Sequence, residues 1–128
     1  QASLRVRVEP DSEEMLKQTV LNGRIINHFP FMFGRRADIA GNDGAISNQL
    51  LVADRTPYRV SRKHCFLQSG PDAIYVEDTM SKLGTIVNGI PIGGKSRENR
   101  AKLSPRENSL ILGGPDSQVR FKLQVEDA

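Results

Sequence analysis

Val60-Ser61-Arg62-Lys63-His64-Cys65 places a hydroxyl, a guanidinium, an ammonium and an imidazole on four consecutive residues. Apolar Val60 precedes them and Phe66-Leu67 follow. A polar run entering an apolar one reads as a loop feeding a buried strand. Ser61 and Arg62 then sit on the loop, and His64 is the first side chain turned inward. A serine and an arginine at a loop tip suit an anion, because the hydroxyl donates one hydrogen bond and the guanidinium fork donates two. Taken alone, the stretch is better read more plainly, as a solvated basic loop above a hydrogen-bonded histidine. The rest of the chain changes that balance.

Other chemistries find less support. Gly89-Ile90-Pro91-Ile92-Gly93-Gly94-Lys95-Ser96 fits the G-x-x-x-x-G-K-S pattern of phosphate-cradling loops. Such a loop works between a parallel strand and a helix whose N-terminal amides face the phosphates. Here the following residues run into Pro105 with few apolar positions, and the surroundings read as antiparallel hairpins. A nucleotide-hydrolysing enzyme using Lys95 and Ser96 is therefore the weakest of the functional readings. Ser61 and His64 lack a nucleophile elbow around the serine, and a histidine pointing into the core cannot serve as its general base. No catalytic residue is assigned, and the chain is read as a non-enzyme. His28, His64 and the lone Cys65 are too scattered for a zinc site, so neither metal nor cofactor is expected. Cys65 reads as a small buried hydrophobe. Lys95, Arg97, Arg100 and Lys102 form a basic loop, but aromatics are 5% of residues and tryptophan is absent. Stacking platforms for nucleic acid are thus poor, and a solvated loop is the better account.

The elements that must position these residues are mostly strands. Leu4 to Val8 alternates strictly, and Glu9-Pro10-Asp11-Ser12 turns the chain. Glu13 to Leu21 fits either a short helix capped by Ser12 or a strand. After the Asn22-Gly23 turn come strands at Arg24 to His28 and Phe31 to Phe33, the latter ended by Gly34-Arg35-Arg36. Ala37 to Asn48 is rich in Gly, Asn and Asp and reads as a long surface loop. Further strands fall at Gln49 to Ala53, His64 to Gln68, Ala73 to Glu77, Thr85 to Val87 and Ile90 to Ile92, with Asn88-Gly89 as a hairpin turn. Gly93 to Ala101 reads as a loop. Lys102-Leu103 and Ser109 to Leu112 flank the turn Ser104-Pro105-Arg106-Glu107-Asn108, and Val119 to Val125 alternates to the end. Many short strands with turn signals between them indicate an all-β sandwich of one domain spanning residues 1–128.

The 128 residues carry 38% hydrophobic and 26% charged side chains, enough for a packed core and too apolar for bulk disorder. No apolar run approaches membrane-spanning length. A net charge of +3 permits an acidic partner without demanding nucleic acid. A single cysteine favours a reducing, intracellular and hence cytoplasmic setting, with the nucleus also open to it. A start at Gln1 suggests a piece of a longer polypeptide.

Three pieces acquire meaning together: Phe33-Gly34-Arg35, then Ser61-Arg62-Lys63-His64, then Leu83-Gly84-Thr85-Ile86-Val87-Asn88-Gly89. In this order and spacing they resemble the forkhead-associated (FHA) domain. Its signature is glycine-arginine, then serine-x-x-histidine, then a glycine-threonine strand ending in asparagine-glycine. The likeness runs from about Leu4 through Val125 and includes Leu103 to Gly113. The resemblance implies an eleven-stranded antiparallel β-sandwich that binds phosphothreonine peptides through loops at one end. Carried over by position, Arg35 and Ser61 would contact the phosphate and Arg62 would flank it. Lys82 and Leu83 would meet the peptide. Gly34 would permit a tight turn before Arg35. His64 would hold Ser61 from beneath, with Gly84 and Thr85 supporting the site, and Asn88 and Gly89 would shape the hairpin behind it. Arg36, Arg59, Lys63 and Lys82 either raise the local positive potential or are simply solvated.

Two departures stand out. The loop from Arg36 to Asn48 exceeds the usual connection and would cover or extend the binding face. Leu83 stands where the family often has an asparagine that holds the peptide backbone. The resulting expectation is a phosphothreonine-recognition module acting in signalling, whose partner is a phosphorylated protein or a phosphorylated segment of its own polypeptide. The alternative is a degenerate FHA scaffold that binds unphosphorylated protein surfaces.

Overall fold

The computed structural model describes residues 3–18, 23–36 and 49–128. Strict alternation decides the faces. In β1 (Leu4–Pro10), Val6 and Val8 are buried while Arg5 and Arg7 are not. In β11 (Arg120–Asp127), Phe121 and Leu123 are buried between Arg120, Lys122 and Gln124. Period-two patterning of this kind gives each strand one face for the core and one for solvent.

Among the described residues the other strands are β2 (Arg24–Ile26), β3 (Phe31–Arg35), β4 (Gln49–Val52), β5 (Cys65–Ser69), β6 (Ile74–Asp78), β7 (Thr85–Val87), β8 (Ile90–Ile92), β9 (Arg100–Lys102) and β10 (Glu107–Leu112). They form a six-stranded sheet in the order β2-β1-β11-β10-β7-β8 and a five-stranded sheet in the order β4-β3-β5-β6-β9. The two sheets stack over one core. Phe33 of the smaller sheet meets Phe121 of the larger with ring centroids 5.5 Å apart, and Phe31 stands edge-on to Phe33 at 5.6 Å. Tilted and edge-on pairs of this kind add to plain area burial.

The β-sandwich and its eleven strands match the expectation from sequence, with local differences. The pairing is antiparallel except between β3 and β4, which run parallel. Parallel neighbours need a crossover on the order of a dozen residues, and residues 36–48 separate this pair. The loop expected there, and Asn22 of the expected turn, lie outside the described residues. Glu13–Lys17 resolves as a short helix, α1: the Ser12 side chain accepts the Met15 amide and Met15 is fully buried. The expected loop from Gly93 to Ala101 yields its end to β9, because Glu77 and Val76 of β6 offer a free edge to Arg100 and Ala101. No helix among the described residues is long and apolar enough to cross a membrane.

Connectivity puts the ends of β3, β6 and β10 and the starts of β5 and β7 at one end of the sandwich, so loops 53–64, 79–84 and 113–119 gather there. Elsewhere the turn 103–107 passes the chain from one sheet to the other and is held by a buried amide. The Asn108 side chain accepts the Ser104 amide at 2.7 Å and donates to the carbonyls of Ser104, Arg106 and Leu123. An apolar replacement strands these buried groups. Asn108→Ala should therefore lower unfolding free energy by roughly 2–4 kcal/mol, read as a reduced urea midpoint at unchanged slope. A loss below about 1 kcal/mol would show that water satisfies the turn instead.

Candidate functional site

Two residues at the end of β3 begin the site. Gly34 is buried, and a Cβ there would collide with the Arg62 carbonyl, so the glycine is what lets the 61–62 loop lie against the strand. The tight turn expected at Gly34 is not found: the residue lies inside β3, and its need is close approach rather than a turn conformation. Backbone bonds close the contact. The Arg35 amide is shared between the carbonyls of Ser61 and Arg62 at 3.1 and 3.3 Å, and the His64 amide donates to Phe33 at 2.9 Å.

Arg35 is then fixed on two sides. Its Nε donates to the Val60 carbonyl at 3.0 Å, and its guanidinium carbon sits 3.7 Å above the centre of the Tyr58 ring. The terminal nitrogens enter no hydrogen bond among the described residues. They form a fork that is held in place yet available, the geometry that matches a phosphate or carboxylate. The loop bearing Tyr58 and Val60 is itself anchored by Asp54, whose carboxylate accepts the amides of Arg55, Arg59 and Val60 at 2.8–2.9 Å.

His64, fully buried, joins two loops. Its Nδ1 accepts the Ser61 amide at 3.0 Å, which puts the ring proton on Nε2, donated to the Gly84 carbonyl at 2.8 Å. The Lys82 amide crosses the same gap to the Ser61 Oγ at 3.1 Å. That hydroxyl accepts one bond from the backbone and keeps its own proton to donate outward. Gly84, at φ 88, turns its carbonyl to receive both His64 and the Gly113 amide. Asp78 holds the loop before it: its buried carboxylate accepts the Ser81 amide and the Ser81 and Thr85 hydroxyls at 2.6–2.8 Å, and the Ser81 Oγ accepts the Gly84 amide.

Arg35, Ser61, Arg62, Lys82, His64, Gly84 and Thr85 thus converge on one loop cluster. Arg36, Arg62, Lys63 and Lys82 are exposed around it. Arg59 is not a free cation, since it pairs with Asp116 at 3.0 Å. Asn88 and Gly89 lie at the far end of β7 from Gly84. Their left-handed backbone closes the β7–β8 hairpin, and Asn88 bonds Ser109 and Asn108. Their support therefore goes to the sheet. Leu83 is 45% exposed and Met80, at φ 66, is 94% exposed on the same loop. Burial pushes the Cys65 thiol up, well away from reactivity.

Sequence reading missed Tyr58, Asp54, Asp78 and Ser81. The spacing Asp78-x-x-Ser81 carried a local turn signal. The pairing of Tyr58 with Arg35 is long-range and carried none. The nucleotide-loop pattern at 89–96 falls on the antiparallel strand β8 and a tight turn, with the Ser96 hydroxyl donating back to Pro91 and no helix following. Among the described residues, no group of three or more His, Cys, Asp or Glu side chains is placed to hold a metal ion.

The family model for the FHA domain matches residues 31–107. The chain belongs to the FHA domain family. Every residue of the loop cluster described above falls inside that match except Gly113 and Asp116. The fold is shared with solved FHA structures of low identity. The FHA-1 domain of Rv1747 from Mycobacterium tuberculosis is 18% identical, with 99% of each chain covered and a TM-score of 0.60. Full-length yeast Pml1p is 16% identical, with 100% of this chain and 83% of that chain covered and a TM-score of 0.63. A structure described for phosphothreonine-dependent FHA domain interactions is 18% identical over 97% and 95% of the two chains, with a TM-score of 0.50. No curated protein sequence matches the chain. FHA domains are protein–protein interaction modules rather than enzymes.

The histidine bridge gives this FHA domain a pH dependence of definite sign. Burial holds the His64 pKa below its ordinary 6.5, against the opposing pull of the Gly84 carbonyl and of the Asp78 and Asp54 carboxylates. Protonating Nδ1 would set one donor against the Ser61 amide. The unfolded chain takes up that proton near 6.5 and the folded chain resists it, so stability is full above 6.5 and declines as pH falls toward the depressed folded value. Within that window the slope should reach up to about 1.4 kcal/mol per pH unit, and His64→Gln should remove it. Urea unfolding at a series of pH values is the check; an equal slope in the variant would place the titrating group elsewhere.

Proposed function

We propose that this FHA domain binds phosphothreonine in a partner protein, or in a phosphorylated segment of its own polypeptide, and that binding is its whole activity. The terminal nitrogens of Arg35 and the Ser61 hydroxyl take the phosphate, Arg62 flanks it, and Lys82 and Leu83 meet the peptide. The observation that carries this reading is the Arg35 fork, fixed through Nε and the Tyr58 ring while its outer donors make no hydrogen bond among the described residues. A phosphate of charge about −1.5 to −2 with three acceptor oxygens uses such donors more fully than any uncharged side chain. The likeness to an FHA structure described for phosphothreonine-dependent interactions points the same way. An unmodified protein surface is the competing ligand, and the exposure of Met80 and Leu83 favours it.

An oriented phosphothreonine peptide library, followed by calorimetry with the selected peptide, separates the two. Arg35→Ala should cost roughly 2–5 kcal/mol of binding, as when a charge pair loses one partner. Tyr58→Ala should cost about 1 kcal/mol through loss of the ring beneath the guanidinium. Equal binding of the unphosphorylated peptide would overturn the reading and install the competing one.

A further inference from the structure

The outer face of the larger sheet is polar along most of its width. Arg5, Arg7 and Glu9 of β1, Lys122 and Gln124 of β11, and Glu107 and Ser109 of β10 point away from the core. This is the ordinary state of a solvated sheet face. At the β7–β8 end the pattern breaks. Register aligns Arg120, Ile111, Ile86 and Pro91 as one outward row across four strands, and three of the four are apolar. The row floors a groove of about 860 Å³. One wall is the 113–115 loop, fastened by Arg120, whose guanidinium donates to the carbonyls of Ser117 and Pro115 at 2.8 and 2.6 Å.

Two features say what the groove takes. It begins at the phosphate cluster, because Lys82 and Leu83 line it and the Lys82 amide holds the Ser61 hydroxyl. Its rim is cationic, with Lys82 and Lys95, and among the described residues no carboxylate lines it. From Gly84 it reaches Gly89, at most roughly 16 Å along the strand direction at about 3.3 Å per residue. An extended chain needs about five residues to cover that distance. We infer that the groove is a second docking point for the same phosphorylated partner, taking an aliphatic side chain set among acidic residues several positions from the phosphothreonine. The inference rests on the phosphothreonine reading above. Two contacts on one chain raise affinity because the second becomes intramolecular once the first has formed.

The test begins with a library of phosphothreonine peptides carrying about eight randomised residues on each side. The selected peptide and a form trimmed to the three residues on either side of the phosphothreonine are titrated against the wild type and against the double variant Ile86→Thr, Ile111→Thr. Threonine keeps the β-branching that suits a strand while removing apolar surface. The wild type should bind the long peptide about tenfold or more tighter than the trimmed one, in line with burial of one aliphatic side chain. The double variant should bind both with the trimmed peptide's affinity. In the wild type, the methyl resonances of Ile86 and Ile111 should shift with the long peptide and stay still with the trimmed one. Equal affinity for the two peptides, or unmoved methyls, overturns the second docking point and leaves the phosphothreonine reading standing. Absence of any phosphate-dependent binding overturns both. Self-association of the domain that the double variant abolishes would assign the groove to a second copy and overturn the inference.

Discussion

The arrangement at the binding end depends on one buried imidazole. His64 accepts from the Ser61 amide on one side and donates to the Gly84 carbonyl on the other, so loops about twenty residues apart in sequence share a single rigid link. A neutral ring is required, since only it carries one acceptor and one donor. Lysine or arginine could not accept, and a carboxylate could not donate while charged. Around this link the rest is secondary: the Lys82 amide reaches Ser61 because Gly84 is already in place, and the Gly113 amide finds the same carbonyl from a third loop.

The Arg35 guanidinium and the Ser61 hydroxyl are positioned by different means. Arg35 is held by its own strand, by a carbonyl and by a ring, with Asp54 fixing the loop that supplies both. Ser61 is held by amides. Both groups are oriented by contacts within the chain itself. Such preorganisation spares the entropy of ordering long side chains on binding. Asp78 extends the principle to the neighbouring loop: its carboxylate is buried, yet two hydroxyls and an amide satisfy it without a cation. A buried charge answered by neutral donors draws on none of the lysines and arginines at that end.

The fold was legible because its strands obey period two and its turns use the residues that turns require. Val6 and Val8, Phe121 and Leu123, and Asn88-Gly89 each announce their place from local pattern alone. The parallel pairing of β4 on β3 and the capture of Arg100–Lys102 by β6 were not legible, since both turn on which edge lies open in the assembled sheet. At the binding end, Arg35, Ser61 and His64 were named from their order along the chain. Gly34 was named for the wrong reason: its constraint comes from Arg62, which sequence places far away. Asp54-Arg55-Thr56-Pro57 reads as a turn, but not as the anchor of the 58–60 segment, and Tyr58 left no local signature, because a ring beneath a guanidinium is defined by three-dimensional approach.

Leu83 shows how a departure from family pattern can be absorbed by the surface around it. An asparagine at that position would offer a donor and an acceptor to a peptide backbone; a leucine offers neither. Yet the leucine is not isolated. It opens onto Ile86, Ile111 and Pro91, and together they make an apolar floor where most of the same sheet face is polar. Burying one aliphatic side chain stabilises by about as much as one or two hydrogen bonds of ordinary net strength. On the phosphothreonine reading proposed above, the exchange therefore need not weaken capture of a partner: it would move the source of that capture from backbone hydrogen bonds, which any sequence can make, to apolar contact, which only some sequences can.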